Sequence, residues 1–206
     1  MSYLVDWQIR NLCKPTDKGG ILGANDKPLI DPFSEEISGS GVISYGLSSA
    51  GYDLRLSAEG ILLFKNGNDR IQVDPKQFHD EEYRRSVFTL TFPQEDGAVY
   101  IPPGGYILGR TVEYLRIPSN LSGTCVGKST LARCGILVNT TPLEPGWEGY
   151  LTLEIGNVCS MWAVVYVNEG IAQLRLELLN AMPHRDYAAK SGKYQGQAGT
   201  TPAIVK

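Results

Sequence analysis

The chain has 206 residues, of which 42% are apolar and 20% are charged, and its formal net charge is −3. This balance excludes wholesale disorder and is sufficient for one ordinary domain, which we predict over residues 1–206. It also excludes an overall attraction to nucleic acid or to an anionic membrane, so any anion-binding site has to be local.

At the N-terminus, Leu4, Trp7 and Leu12 recur at nearly helical spacing, which predicts a short amphipathic helix. The segment lacks the apolar stretch of a signal peptide, and no apolar run along the chain is long enough to span a membrane. We therefore expect a cytoplasmic protein. Residues 19–33, rich in Gly, Pro, Asn and Asp, predict a loop.

From Gly41 onward, short β-branched and aromatic runs alternate with Gly and Pro turns, which predicts many short strands. This pattern is typical of a sandwich, a jelly roll or a distorted barrel, so the predicted fold class is mainly β. Helices are favoured only in DEEYRRS (80–86) and STLARCG (129–135). The predicted strands lie in residues 51–56, 60–65, 70–75, 86–92, 99–118, 149–157 and 162–179. Within 99–118, IPPGGY (101–106) predicts a tight turn between two runs.

The stretch GTCVGKSTLARCG ends like a phosphate-binding P-loop, G-x-x-x-x-G-K-[ST], but its glycine spacing is wrong. The position five residues before Gly127 is Ser122, and Gly123 comes one residue late. No long amphipathic helix follows Lys128, so we exclude a P-loop nucleoside triphosphatase. The two cations and two hydroxyls of KSTLAR still suit a local polyphosphate site, with a solvated surface turn as the alternative.

The segment PLEPGWEGYLTLEIGN carries three carboxylates, Glu144, Glu148 and Glu154. In a strand from Tyr150 to Ile155, Glu154 shares one face with Tyr150 and Thr152, while the other face is apolar. Desolvation would raise the pKa of an acid at the end of such a strand and suit it to general acid–base chemistry. A salt-bridged or solvent-facing carboxylate is the alternative.

Metal-binding patterns are absent from the sequence. The only histidines, His79 and His184, lie far apart. Zinc-dependent base deaminases have a His or Cys ligand close to a catalytic Glu, followed by a P-C-x-x-C pair, and the sequence contains neither part of this pattern. We therefore predict no protein-held zinc and two ordinary surface histidines. Four widely spaced cysteines without a C-x-x-C pair predict buried, reduced thiols: Cys13, Cys125, Cys134 and Cys159.

Two segments leave two interpretations open. In GYDLRL, Asp53 and Arg55 are predicted to share one face of a strand. They form either an exposed ion pair on a sheet edge or part of a functional site. The tail, about 183–206, has few core-forming residues and is either a floppy terminus or a lid that orders over a ligand.

Five motifs in a fixed order resemble the zinc-independent bacterial dCTP deaminases of the dUTPase-like superfamily, over nearly the whole chain. They are GLSSAGYDLRL, IPPGGYILGRTVEYLRIP, GKSTLARCGILVNTTPLEPGWEGYLTLEIGN, NEGIAQL and GKYQGQAGTT. Each motif alone is weak, but five in this order are highly specific. The resemblance implies a dUTPase-like distorted β-barrel or jelly roll with a short N-terminal helix and a flexible C-terminal tail. It also implies a homotrimer with active sites at subunit interfaces.

The resemblance further implies hydrolytic deamination of dCTP to dUTP and ammonia, which supplies dUTP for thymidylate synthesis. Zinc is not needed, Mg²⁺ is carried by the triphosphate, and dTTP is the expected feedback inhibitor. In the matching motif, Glu154 is the general base that activates water. The implied nucleotide contacts are Lys128, Ser129, Thr130, Leu131, Ala132, Arg133, Thr152, Leu153, Gln173, Tyr187, Lys193 and Gln197.

The main alternatives are a dUTP diphosphatase and a bifunctional enzyme that performs both steps. Diphosphatases usually end in an Arg- and Gly-rich motif with an aromatic residue, a form that KYQGQAGTT lacks, and they tend to have an apolar residue in place of Glu154. A catalytically silent nucleotide sensor would not need Glu154. We therefore expect a deaminase.

Overall fold

The computed structural model describes residues 2–14, 27–35, 41–65 and 72–205, in which antiparallel strands dominate. The helices are α1 (Asp6–Cys13), α2 (Glu81–Val87) and α3 (Ser129–Ala132), and Pro75–Gln77 form a short 3₁₀ helix. The strands are β1 (Ile30–Asp31), β2 (Gly46–Ser48), β3 (Gly51–Arg55), β4 (Ile61–Phe64), β5 (Phe88–Thr91), β6 (Ala98–Ile101), β7 (Tyr106–Arg116), β8 (Leu121–Gly127), β9 (Ile136–Val138), β10 (Thr141–Leu143), β11 (Glu148–Asn157), β12 (Ala163–Tyr166) and β13 (Gly170–Leu178). The mainly β fold class with a short N-terminal helix is confirmed.

Two large sheets enclose the core. One has the order β5–β4–β7–β11–β9, with β1 also paired to β7, and the other has the order β10–β8–β13–β3–β2. Strands β6 and β12 form a separate pair. Residues of both large sheets join one buried cluster, in which Tyr52 and Leu54 of β3 and Ile107 and Leu115 of β7 have no exposed surface. Burial of this apolar area is the main stabilising contribution to the fold.

The N-terminal helix forms as predicted, but its buried face differs from the prediction. Ile9 and Leu12 are buried in the core, whereas Trp7 is 57% exposed, and Leu4 is buried just before the helix begins. The Leu4 backbone N–H donates to the Leu176 carbonyl at 2.8 Å, which anchors the helix to β13. In the described ranges, no helix combines the length and apolar character that crossing a membrane requires.

Local backbone signals account for two further differences between the predicted and observed elements, whereas β2, β8, β9 and β10 were not predicted. Residues 70–71 of the predicted strand 70–75 lie outside the described residues, and the remainder is not a strand. There the Asp74 carboxylate accepts from the Lys76 N–H at 2.9 Å and caps the 3₁₀ helix. The predicted strand 162–179 is interrupted at Asn168, whose φ of 62° does not fit a strand.

The predicted loop and the two predicted helices had different outcomes. Within the predicted loop 19–33, residues 19–26 lie outside the described part of the chain and Ile30–Asp31 form β1. The helix in DEEYRRS is confirmed and begins after Asp80, whose carboxylate accepts from the Tyr83 N–H at 2.7 Å. The helix in STLARCG is only the four-residue α3, and this agrees with the exclusion of a P-loop.

The cysteine prediction is correct for two of the four thiols. Cys13 and Cys125 are buried, and burial raises the pKa of each to about 12. Cys134 is exposed and Cys159 is half-buried, so the prediction is wrong for these two. They lie in the connections that flank β9 and β11, outside the space between the large sheets. His79 and His184 are exposed, as predicted.

Gly170 lies at the start of β13, where another backbone segment leaves no space for a side chain. A Cβ atom there would lie 1.9 Å from the Ser44 carbonyl oxygen. We expect Gly170→Ala to lower the free energy of unfolding by about 1–3 kcal/mol, because a backbone atom has to move. Urea denaturation should reveal the loss, with Gly199→Ala as the control because no atom lies within 4 Å there. Equal stability of the two variants would contradict this packing.

Candidate active site

A cavity of about 600 Å³ lies beside β11, between β10 and the C-terminal tail. Its polar lining includes Thr152 and Glu154 of β11, Thr141 of β10, and Lys193 and Gln197 of the tail. A concave site with an apolar body and a few polar groups suits a small-molecule ligand. The aromatic side chains of the lining are Phe64, Phe78, Phe88, Trp147, Tyr187 and Tyr194.

Glu154 occupies a position on β11 whose neighbours are mainly apolar. It is half-buried and pairs in register with Leu108 of β7, while the next residue, Ile155, has no exposed surface. Burial raises the pKa of the Glu154 carboxyl, and hydrogen bonds from the Asn139 and Thr141 side chains partly offset this rise. The Thr141 hydroxyl donates to Glu154 Oε2 at 3.4 Å. A carboxylate in this setting holds a proton more readily than one in water and is suited to proton transfer.

The predicted alternation is observed from Thr152 to Ile155: Leu153 and Ile155 lie in the core cluster, and Thr152 and Glu154 line the cavity. It is not observed before Thr152, where the register with β7 shifts. Leu151 belongs to the core cluster and also lines the cavity, and Tyr150 does not line it. The Arg110 guanidinium lies over its ring at 4.1 Å from the centroid.

The C-terminal tail is docked on β11, which is contrary to the floppy-terminus interpretation. The Gln197 carbonyl accepts from the Tyr150 N–H at 2.9 Å, and the Gly196 N–H donates to the Glu148 carbonyl at 2.8 Å. The Thr152 hydroxyl accepts from the Thr201 N–H at 3.1 Å. These bonds continue the sheet edge into the tail and place it along one wall of the cavity.

Further hydrogen bonds hold the tail to Trp147 and hold tail residues to one another. The Trp147 indole N–H donates to the Tyr194 carbonyl at 2.8 Å, and the Tyr194 N–H donates to the Tyr187 hydroxyl at 3.0 Å. The Lys193 ammonium donates to the Ile204 carbonyl at 2.9 Å. The exposed Lys193 is the one cationic side chain in the cavity lining over the described ranges, so positive charge at this wall comes from the tail.

The segment Lys128–Arg133 lies apart from this cavity, and none of its residues contributes to the lining. The Lys128 ammonium forms a salt bridge with the Asp53 carboxylate and donates to the Ser44 carbonyl at 2.9 Å. Leu131 is buried in the core, and Arg133 is exposed. Thr130 borders a second, polar cleft, which Ser44, Tyr166 and Glu169 also line.

Asp53 and Arg55 do not form the exposed ion pair considered above. Asp53 is buried on β3, which lies between β13 and β2 rather than at a sheet edge, and its partner is Lys128. Arg55 pairs at 2.8 Å with Glu113 of β7, a carboxylate with no exposed surface. Burial raises the pKa of Glu113, and the bonds from Arg55 partly offset this rise.

The residues implied by the resemblance therefore fall into two groups in a single chain. The cavity group is Thr152, Glu154, Tyr187, Lys193 and Gln197. Leu153 lies between the first two on β11 but is buried in the core and does not line the cavity. The second group is Lys128, Ser129, Thr130, Leu131, Ala132, Arg133 and Gln173.

Several residues of the candidate site were missed by the sequence analysis. Asn139 and Thr141 reach Glu154 because β9 pairs with β11 and the following turn carries them to its side. The polar run NTT between two apolar runs was the available signal. Glu113, which lies outside this site, was also missed, and its signal was an acid inside the strand TVEYLR, where the neighbouring residues alternate. In the described ranges, no group of three or more His, Cys, Asp or Glu side chains is arranged to hold a metal ion.

Residues 27–179 match the family described as dCTP deaminase-like. The chain is 50% identical over 173 residues to the dCTP deaminase of Acidobacterium capsulatum, and this match covers 84% of this chain and 89% of that protein. It is 44% identical over 201 residues to the dCTP deaminase of Paramagnetospirillum magneticum, and this match covers 98% of both chains.

A solved structure has the same fold. The crystal structure of 2′-deoxycytidine 5′-triphosphate deaminase from Agrobacterium tumefaciens matches with a TM-score of 0.57 at 19% identity, over 85% of this chain. The match covers 47% of that protein, so this chain spans about half of its length. At this identity, the similarity establishes the fold alone. The family match and the two relatives show that the chain belongs to the dCTP deaminase-like family.

Proposed function

We propose that this protein hydrolyses dCTP to dUTP and ammonia, and so supplies dUTP for thymidylate synthesis. The observation that carries the proposal is Glu154, a half-buried carboxylate with a raised pKa in a cavity that the tail lines along one wall. Relatives named dCTP deaminase, 44% to 50% identical over most of the chain, support the substrate and the reaction.

In the proposed reaction, Glu154 takes a proton from a water molecule as the water oxygen attacks the C4 atom of cytosine. The protonated carboxyl delivers that proton to ring nitrogen N3, so that C4 carries both a hydroxyl and an amino group. Glu154 then passes the proton of this hydroxyl to the amino nitrogen, the C4–N bond breaks, and ammonia leaves as the C4 carbonyl forms. Hydrogen-bond donors held in place around the base stabilise the tetrahedral intermediate. The docked tail excludes bulk water, which strengthens these interactions.

The substrate is dCTP with Mg²⁺ carried on its triphosphate. Lys193 and the exposed Arg133 are the cations we assign to the phosphates, together with the backbone N–H groups and hydroxyls of the segment Lys128–Arg133. This segment and Glu154 border different surfaces of one chain. We therefore propose a homotrimer in which the segment of one subunit completes the Glu154 cavity of the next. Because dTTP differs from dCTP mainly in the base, we expect it to inhibit at the same site.

The experiment that tests this function follows ammonia and pyrophosphate separately. The protein is incubated with Mg²⁺ and either dCTP or dUTP. Ammonia from dCTP without pyrophosphate from either nucleotide supports the deaminase. Pyrophosphate from dUTP would indicate a diphosphatase, and both products together would indicate a bifunctional enzyme. Tight dCTP binding without either product would indicate a nucleotide sensor.

Thr141→Val should move the acid limb of the pH–rate profile to higher pH. Glu154 has to be ionised to accept a proton, so activity rises as pH passes through its pKa, which burial raises above the ordinary 4.5. The Thr141 hydroxyl stabilises the ionised form, and valine removes this donor. The measurement is kcat/KM for dCTP against pH, with the exposed Thr89→Val as control. A limb that stays in place or moves to lower pH would contradict the role of Thr141.

A further inference from the structure

Asp53 is a buried acid with no role in the reaction as described so far. Its side chain lies in the five-stranded sheet and is only 6% exposed. One carboxylate oxygen accepts from the Lys128 ammonium, and the other accepts from the Gln173 amide at 3.0 Å. Both partners belong to the second group of implied nucleotide contacts. A buried carboxylate is retained only when it is well partnered, and Asp53 meets this requirement through these two residues.

The same contacts fix the Lys128 side chain. Besides Asp53, its ammonium donates to the Ser44 carbonyl at 2.9 Å and to the Ser44 hydroxyl at 3.1 Å. A lysine ammonium has three donors, so all of its hydrogen-bonding capacity is used within the protein. The side chain is 11% exposed. Its charge is thus compensated by Asp53 and is held in place.

Lys128 also determines where the proposed phosphate-binding segment begins. Its carbonyl accepts from the Leu131 and Ala132 N–H groups at 3.1 Å, so it forms the first residue of the α3 turn. Lys128 therefore connects Asp53 of β3, through its side chain, to the segment Lys128–Arg133, through its backbone. Gln173 is held from the neighbouring strand, since it pairs in register with Asp53.

We propose that Asp53 is a positioning residue for the nucleotide site: it holds Lys128 and Gln173 in place and thereby orients the segment Lys128–Arg133 toward the triphosphate. The inference rests on the proposed function and adds a role for a residue that lines neither the Glu154 cavity nor the second cleft. Asp53 acts on affinity for the nucleotide and leaves proton transfer at Glu154 intact.

The test compares Asp53→Asn with Glu113→Gln. Each variant removes the charge of one buried ion pair made by β3, and Glu113 has no role in the proposed site. We expect Asp53→Asn to raise KM and the dissociation constant for dCTP by about 10- to 100-fold with a much smaller change in kcat, because the segment loses its orientation. Glu113→Gln should leave both constants nearly unchanged although it lowers the melting temperature. Equal effects of the two variants on KM would overturn the proposal.

A double-mutant cycle tests whether Asp53 acts through its partner. In a Lys128→Gln background, Asp53→Asn should add little further loss of affinity, and full additivity would overturn the proposal. If Asp53→Asn does not fold, Ser44→Ala replaces it, since it removes one acceptor of the ammonium. We expect a KM increase of about fivefold there, the value of one hydrogen bond, and an unchanged KM would overturn the proposal.

Binding by calorimetry separates this inference from the proposed function. If the wild-type protein binds dCTP but releases no ammonia, deamination is refuted, and the dissociation constants of the variants still decide the role of Asp53. If deamination is observed and Asp53→Asn matches wild type in affinity and KM, only the positioning role is refuted. A wild-type protein that does not bind dCTP refutes both.

Discussion

Replacing Glu154 by glutamine should reduce ammonia release from dCTP by about 100- to 10,000-fold, the usual contribution of general acid–base catalysis. Glutamine has nearly the same shape but cannot accept the proton of the attacking water. Because Glu154 makes no salt bridge within the described residues, its replacement leaves no unpaired charge behind. Binding of dCTP should therefore persist. A coupled ammonia assay and calorimetry on the same preparation measure the two quantities.

The control for this variant is Glu148→Gln. Glu148 begins the same strand and is half-buried, but it does not line the cavity. It should retain activity close to that of wild type. Turnover of Glu154→Gln within a few-fold of the control would refute the proposed base, and loss of dCTP binding by Glu154→Gln would show that the residue acts in binding instead.

Mixing two inactive variants should restore activity if each site is built from two chains. Glu154→Gln disables the cavity side and Arg133→Ala disables the phosphate-binding side, so each protein alone should be nearly inactive with dCTP. After the subunits are exchanged, a random trimer has an intact Glu154 facing an intact Arg133 in about a quarter of its sites. We therefore expect about one quarter of the wild-type ammonia release from an equal mixture. We expect this complementation because the Glu154 cavity and the segment Lys128–Arg133 lie apart within one chain.

Two pairings of variants control this experiment. A mixture of Glu154→Gln with Glu154→Ala should stay inactive, because no arrangement provides an intact base. Either variant mixed with wild type should fall below full activity in proportion to its share. An equal mixture of Glu154→Gln and Arg133→Ala that stays inactive after verified subunit exchange would argue that both residues serve the same chain.

The sequence was sufficient to predict those features that depend on local pattern. The alternation in GYLTLEIGN predicted a strand with Thr152 and Glu154 on one face, and both line the cavity. The turn residues between Ile101 and Tyr106 predicted the break between β6 and β7. These features follow from side-chain periodicity and backbone preference, which neighbouring residues alone determine.

Pairing between segments that are distant along the chain could not be predicted from the sequence. Asp53 and Arg55 were correctly placed on one strand, yet their partners come from distant segments: Lys128, 75 positions away, follows β8, and Glu113, 58 positions away, lies in β7. The tail was left between two interpretations because its few apolar residues do not predict docking. Its contacts come instead from backbone bonds along β11, such as the one between Gln197 and Tyr150.

Exposure of single side chains was equally difficult to predict. Trp7 was expected on the buried face of α1 because spacing alone cannot tell which of two apolar stripes meets the core. The aromatic wall formed by Phe64, Phe78 and Phe88 was also not predicted. These residues belong to two separate strands and the turn before α2. Pairing of β4 with β5 brings Phe64 and Phe88 together, and Phe78 stacks on Phe88 from the turn.

The most direct test of the proposed chemistry is the destination of the water oxygen. The protein is incubated with dCTP in water enriched in the heavy oxygen isotope, and the nucleotide product is analysed by mass spectrometry with fragmentation of base and phosphates. Attack at C4 with Glu154 as the base places one heavy oxygen on the uracil ring of dUTP and none on its phosphates. Heavy oxygen in a phosphate group, with the base unlabelled, would contradict deamination and indicate cleavage of the triphosphate.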